Sequence, residues 1–180
     1  DETIPYMKRL RELKEEKQQS LLGSIVIFLH DFFDSPHTYK WILFPDFYTW
    51  IVDTINFCIA YDITIYIKPH PNQCNDSKLV VSALREEFKL NKCINWLDSQ
   101  LSNSSIYIAK PILVVTVYGS IAPEATYAGI PVLLAGDHPG INFPIGHTAR
   151  SQEEYFAAFL NPLSIATGDP EAAIAFIIQH

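Results

Sequence analysis

Ile112–Tyr118 reads ILVVTVY, seven residues without a charge. A strand that is apolar on both sides must be covered on both sides, which is the signature of a parallel sheet sandwiched between helices. Two further runs have the same character: Ser24–His30 (SIVIFLH) and Pro131–Ala135 (PVLLA). Ile63–Lys68 (ITIYIK) is a β-branched strand that stops at Pro69, and Cys93–Leu97 is a weaker strand. Helical patterns alternate with them. Phe47–Ala60 places Trp50, Ile51, Thr54, Ile55 and Cys58 on one side, and Ser77–Leu90 is amphipathic with Asp76 or Ser77 as its expected cap. A short helix over 123–127 should end at Gly129, and 152–160 and 171–179 read as closing helices. The alternation predicts an α/β domain with a mainly parallel sheet.

The chain has 180 residues, 48% of them hydrophobic and 18% charged. Such a length folds as one domain with at most a small appendage, and buries roughly 70% of the surface its unfolded form exposes. A net charge of -7 gives no basic excess for phosphate backbones, so nucleic acid is not an expected partner. Cys58, Cys74 and Cys93 are scattered and form no CxxC pair, which argues against a zinc site or a disulfide framework. A reducing, cytoplasmic setting follows as the simplest expectation. No apolar run is long enough for a membrane span, which leaves peripheral membrane association open. The first 17 residues carry ten charges, five of each sign, so residues 1–22 read as a charged helix or linker before a domain over 23–180. The chain begins at Asp1 and opens in helical character, as a piece of a longer protein would.

Right-handed crossovers bring every strand-to-helix loop to one edge of a parallel sheet, where ligands bind. These loops are rich in polar residues. The first carries His30, Asp31, Asp34 and His37; the second is Lys68-Pro69-His70-Pro71-Asn72. The next is Gly119-Ser120 with Glu124 behind it, and another holds Asp137 and His138. Pro69 and Pro71 lock the backbone around His70, either to present it to a phosphate or merely to stop a strand. Gly119-Ser120 before a helix would let an anion approach backbone amides, and Glu124 could accept two ribose hydroxyls; the same residues also make an ordinary helix cap. No dinucleotide fingerprint or P-loop is present, so NAD and ATP lose support. His30, Asp31, Asp34 and His37 could ligate a metal, or form a turn around Asp34-Ser35-Pro36. The loop from Asp137 to His147 is rich in Gly and Pro and serves either as a cover or as a connector.

The segments HDFFDSPH, FPDFYTW, IKPHPN, VTVYGSIAPEATYAGIPVLLAG and SQEEYFAAF together resemble bacterial capsule and lipopolysaccharide polysaccharide-synthesis proteins. More broadly, they are similar to the nucleotide-sugar-binding, C-terminal half of GT-B glycosyltransferases. The resemblance spans about Ser24 to Leu160, with Gly119 lying 49 positions after His70. Glu124-Ala125-x-x-x-Gly129-x-Pro131 is also similar to UDP-sugar 2-epimerases, and the His-Pro and Gly-Ser pairing to sialyltransferases and Kdo transferases that use CMP-activated sugars. The resemblance implies a Rossmann-like three-layer sandwich, one half of a GT-B fold. It implies that Lys68, His70, Asn72, Gly119, Ser120 and Glu124 bind the donor, with His70 and Ser120 at its phosphate and Glu124 near its ribose. His30, Asp31, Asp34, His37, Asp137 and His138 form an additional rim. It implies no resident metal and no cofactor, the nucleotide-sugar being the substrate, CMP-linked slightly ahead of UDP-linked. The further partners are a glycan acceptor and a missing N-terminal lobe, which normally supplies the catalytic base. Pro123 departs from the family pattern and removes one N–H from the helix start.

Three other readings stay open at this point. One is a nucleotide-sugar 2-epimerase-like enzyme. Another is a metal-dependent hydrolase built on His30, Asp31, Asp34, His37 and His70. The third is a non-catalytic module that binds a partner through the aromatic stretch Phe32–Trp50.

Overall fold

The computed structural model describes residues 21–33 and 41–179. The helix expected in the charged opening segment lies outside them, as do Asp34 and His37. Six parallel strands form one sheet in the order β3-β2-β1-β4-β5-β6. They are β1 (Ile25–Phe28), β2 (Ile65–Lys68), β3 (Ile94–Trp96), β4 (Leu113–Thr116), β5 (Val132–Leu134) and β6 (His147–Thr148). The helices are α1 (Phe47–Ala60), α2 (Asn75–Glu87), α3 (Asn103–Ile108), α4 (Ile121–Tyr127), α5 (Gln152–Leu160) and α6 (Pro170–Gln179).

The strands alternate between two cores, as the sheet period requires. Ile25, Ile27, Ile65, Ile67 and Val115 face a layer that holds Trp50, Ile51 and Ile55 of α1, Leu84 of α2 and Phe159 of α5. Val26, Phe28, Val114 and Val132 face Ile106 of α3 and Ala122 and Ala125 of α4. The expected face of α1 is the buried one, with Phe47 added at its start. Ile51 and Ile55 are fully buried and each contributes roughly 1.5–3 kcal/mol. Asp46 caps α1, accepting from Thr49 N at 2.6 Å. A polar knot in this core is closed. Tyr155 Oη accepts from Trp50 Nε1 at 2.8 Å and lies 3.0 Å from Thr54 Oγ1, which donates to the Trp50 carbonyl.

Four features differ from the sequence reading. The cap of α2 is Cys74 rather than Asp76 or Ser77, with Ser77 N donating to its thiol at 3.4 Å. α3 was not expected, because six residues are too few to show a helical period. α4 begins at Ile121, two residues before Pro123, which therefore sits in the first turn where its missing N–H costs little. The loop that follows Asp137 ends in the short edge strand β6. As expected, Gly129 closes α4 with a positive φ of 75°. Among the described residues no helix is long and apolar enough to cross a membrane.

Candidate functional site

The strand order reverses between β1 and β4, since chain connections run one way from β1 and the other way from β4. A crevice opens outside the strand ends at such a reversal. A cavity of about 400 Å³ lies there. Lys68 and His70 form one wall of it, Thr116, Gly119 and Ser120 the other, and His30 lies between them.

Lys68 ends β2 and is 3% exposed. Its ammonium donates to the Ser99 carbonyl at 3.1 Å and lies 5.7 Å from the Phe28 ring centroid. An ammonium has three donors, so this hydrogen bond leaves most of its capacity unused. Among the described residues no carboxylate forms an ion pair with it. Burial lowers its pKa, and the charges of Asp98 and Glu124 oppose that shift. A buried cation with no carboxylate within ion-pair distance is costly, and an anion in the cavity would offset the cost.

His70 is half-buried, in the loop between β2 and α2. Its Nδ1 accepts from Asn72 N at 3.2 Å, so the neutral ring carries its proton on Nε2. Asn72 thus contributes through its backbone, and its side chain is not part of the wall. Gln100 Nε2 donates to the Pro71 carbonyl at 3.2 Å and steadies the same loop.

The opposite wall is held by packing. A Cβ on Gly119 would press on Thr116 Oγ1 at 3.2 Å and would meet His30 Cε1 at 3.5 Å, an ordinary van der Waals contact. His30 Nε2 accepts from Tyr118 N at 3.4 Å and lies 3.1 Å from Thr116 Oγ1. Its ring stacks on Phe47 with centroids 4.7 Å apart. Burial pushes its pKa down to about 3, helped by the charges of His70 and His138. Ser120 is exposed, and its hydroxyl makes no capping bond to α4. Behind it Glu124 is tethered by one oxygen: Oε2 accepts from Asn103 Nδ2 at 3.2 Å and from Tyr107 Oη at 3.1 Å. Burial, then the Glu124 charge, raise the pKa of Tyr107, which keeps its proton as the donor.

Lys68, His70, Gly119, Ser120 and His30 thus line one cavity, with Glu124 one turn behind. Three rim residues are engaged elsewhere. Asp31 faces the start of α2, where Oδ2 accepts from Cys74 N at 2.7 Å. Asp137 pairs with Arg150 at 2.6 Å, and Arg150 in turn lies over the Trp41 ring. His138 is buried; its Nδ1 accepts from Gly140 N at 2.9 Å and its ring packs on Phe176. Burial takes its pKa down to about 4, against the opposing effect of a hydrogen bond with the Gly119 backbone. Among the described residues no three His, Cys, Asp or Glu side chains converge as a metal site would require. Sequence reasoning missed Asn103, Tyr107 and Thr116. The run Ser102-Asn103-Ser104-Ser105 was the available signal, since Ser102 caps α3.

A six-stranded parallel sheet in this order, with helices on both faces and a crevice at the reversal, defines a Rossmann-like α/β domain. No protein-family model and no curated protein sequence matches the chain. Solved structures do. The UDP-GlcNAc 2-epimerase of Methanocaldococcus jannaschii, in complex with UDP-GlcNAc and UDP, superposes with a TM-score of 0.58 at 16% identity, over 93% of this chain and 48% of that one. HepE of Anabaena, in complex with UDP and glucose, gives 0.54 at 16% identity, over 94% and 47%. The wall teichoic acid polymerase TagF gives 0.54 at 13% identity, over 92% and 41%. The chain therefore has the Rossmann-like fold of a GT-B-type lobe and spans under half the length of these neighbours.

Proposed function

We propose that this domain is the donor-binding lobe of a glycosyltransferase that uses a nucleotide-activated sugar. The observation that carries the reading is Lys68, a buried cation without an ion-pair partner among the described residues, facing a cavity at the sheet's reversal point. The donor's phosphate would accept from Lys68 Nζ, from His70 Nε2 and from the Ser120 hydroxyl. Charge that develops on the departing nucleotide is then met by donors already in place, which is the principal way such sites lower a barrier. The free oxygen of Glu124 is the acceptor for a sugar hydroxyl.

The acceptor is a glycan of a capsule or another surface polysaccharide, as the sequence resemblance implies. The catalytic base belongs to a second lobe, and the lobe pair works without a resident metal. The neighbours solved with UDP favour a pyrimidine nucleotide, and CMP- and UDP-linked donors are the two candidates. The similarity to a UDP-GlcNAc 2-epimerase supports a second reading, inversion at the sugar's C2 from the same donor pocket.

Thermal shift with UDP, CMP, GDP and ADP, each with and without EDTA, tests the proposal. A ligand at about 100 times its Kd stabilises by roughly 2.7 kcal/mol, a shift of several degrees. A selective response to UDP or CMP that ignores EDTA is expected. Indifference to all four nucleotides would contradict it. Release of a C2-inverted sugar from the donor by the full-length protein would select the epimerase reading.

A further inference from the structure

We propose that Asp31 is a positioning residue for His70, an inference that rests on reading the pocket as a phosphate site. α2 starts poorly by its own means. Its cap is a thiol, a weak acceptor compared with the Ser, Asp or Asn oxygen usual there. The missing carboxylate arrives from 43 residues upstream. Asp31 Oδ2 accepts from Cys74 N at 2.7 Å, and Oδ1 accepts from Ser77 Oγ at 2.5 Å and from Phe33 N at 3.0 Å. Ser77, fully buried, returns the link by accepting from Phe32 N at 3.0 Å. Three bridging hydrogen bonds thus join the exit of β1 to the start of α2.

The position of these bridges gives them their consequence. The loop that bears His70 runs from Lys68 to Cys74. Its near end is fixed to β1 by the pairing of Phe28 with Lys68 and by Leu29 N donating to the Lys68 carbonyl at 2.9 Å. Its far end is fixed by Asp31, three residues after Phe28 on the same strand exit. Pro69 and Pro71 stiffen the five residues between. With both anchors on one element, the place of His70 beside Lys68 is set by Asp31. Hydrogen bonds from Ser77 and from the Cys74 and Phe33 amides lower the Asp31 pKa against the effect of burial, which keeps the clamp ionised at neutral pH.

A helix cap and a positioning clamp make different predictions once the cap is restored locally. Asp31→Asn should lower the melting temperature. Adding Cys74→Asp gives α2 its own carboxylate cap and should recover most of that loss. It does not rebuild the bridge to β1. In the double variant we therefore expect faster exchange of the Asn72 amide, whose bond to His70 Nδ1 loosens, and shifted His70 ring resonances in the free protein. UDP affinity should fall about tenfold, the scale of one lost charge-assisted contact. Ser77→Ala removes the two bridging bonds of its hydroxyl, keeps the Asp31 bond to Cys74 N, and carries the same test if the Asp31 variants fold badly. Wild-type exchange and ring signals in a folded Asp31→Asn or Ser77→Ala protein would overturn the proposal. Recovery of both stability and affinity in the double variant would also overturn it, by showing a cap and nothing more. Should the wild-type protein bind no UDP, the donor reading fails on its own, and the Asn72 and His70 signals still decide the role of Asp31.

Discussion

The two walls of the pocket are built in opposite ways. The β2 wall brings charge: Lys68 is a buried ammonium, and His70 sits beside it on a loop held by two prolines and by Asp31. The β4 wall brings shape: Gly119 lies against the neutral ring of His30, and His138 is buried behind it. A buried charge is costly, and an anionic ligand would offset that cost. A packed neutral wall carries no such cost, but an added atom there must displace its neighbours. On the proposed reading, one wall governs affinity, and the other governs both stability and the line along which a ligand can approach.

The largest effect should come from acid acting on the two buried histidines beside the β4 wall. His30 and His138 have folded pKa values lowered to about 3 and about 4 from 6.5. Below pH 6.5 the unfolded chain takes up protons that these folded rings refuse, so stability falls as pH drops. The slope is about 1.4 kcal/mol per pH unit for each ring, continuing until the folded rings themselves protonate. Urea melts between neutral pH and about pH 4.5 should show this loss, and His30→Phe should roughly halve its slope. An unchanged slope in that variant would remove His30 from the account.

A smaller effect is expected at the β2 wall. Lys68→Met should weaken nucleotide binding roughly hundredfold, the scale of a desolvated charge contact, while the slope of stability with pH stays as in the wild type. Titration calorimetry with UDP or CMP measures it. Gly119→Ala is the mildest change. Its methyl pushes on Thr116 Oγ1 and should cost about 1 kcal/mol of stability. Its affinity loss should be smaller than that of Lys68→Met; the reverse ranking would undo the division of labour between the walls.

The legibility of the site in the sequence divides along the same line. Lys68-Pro69-His70 was readable because a β-branched strand, a strand stop and a proline-locked histidine are all local signals. The packed face of α1 was readable because its period repeats over 14 residues. Gly119-Ser120 was readable as a strand-to-helix turn, but not its place beside His30, which is distant in the chain. Asn103 and Tyr107 were missed because α3 is too short and polar to show a period. Asp31, Asp137 and His138 looked like rim groups because their partners, Cys74 and Ser77, Arg150, and Phe176, come from other parts of the fold. Local chemistry names the groups, and long-range contacts decide which of them face the ligand.

The most direct measurement is the melting temperature of the wild-type protein and of Lys68→Met, each with and without UDP or CMP. If Lys68 awaits an anion, methionine removes an unpaired buried charge, so the free variant should melt no lower than the wild type while its response to nucleotide vanishes. If Lys68 instead serves the fold through its bond to Ser99, the variant should melt several degrees lower and keep the full nucleotide shift, which would contradict the account.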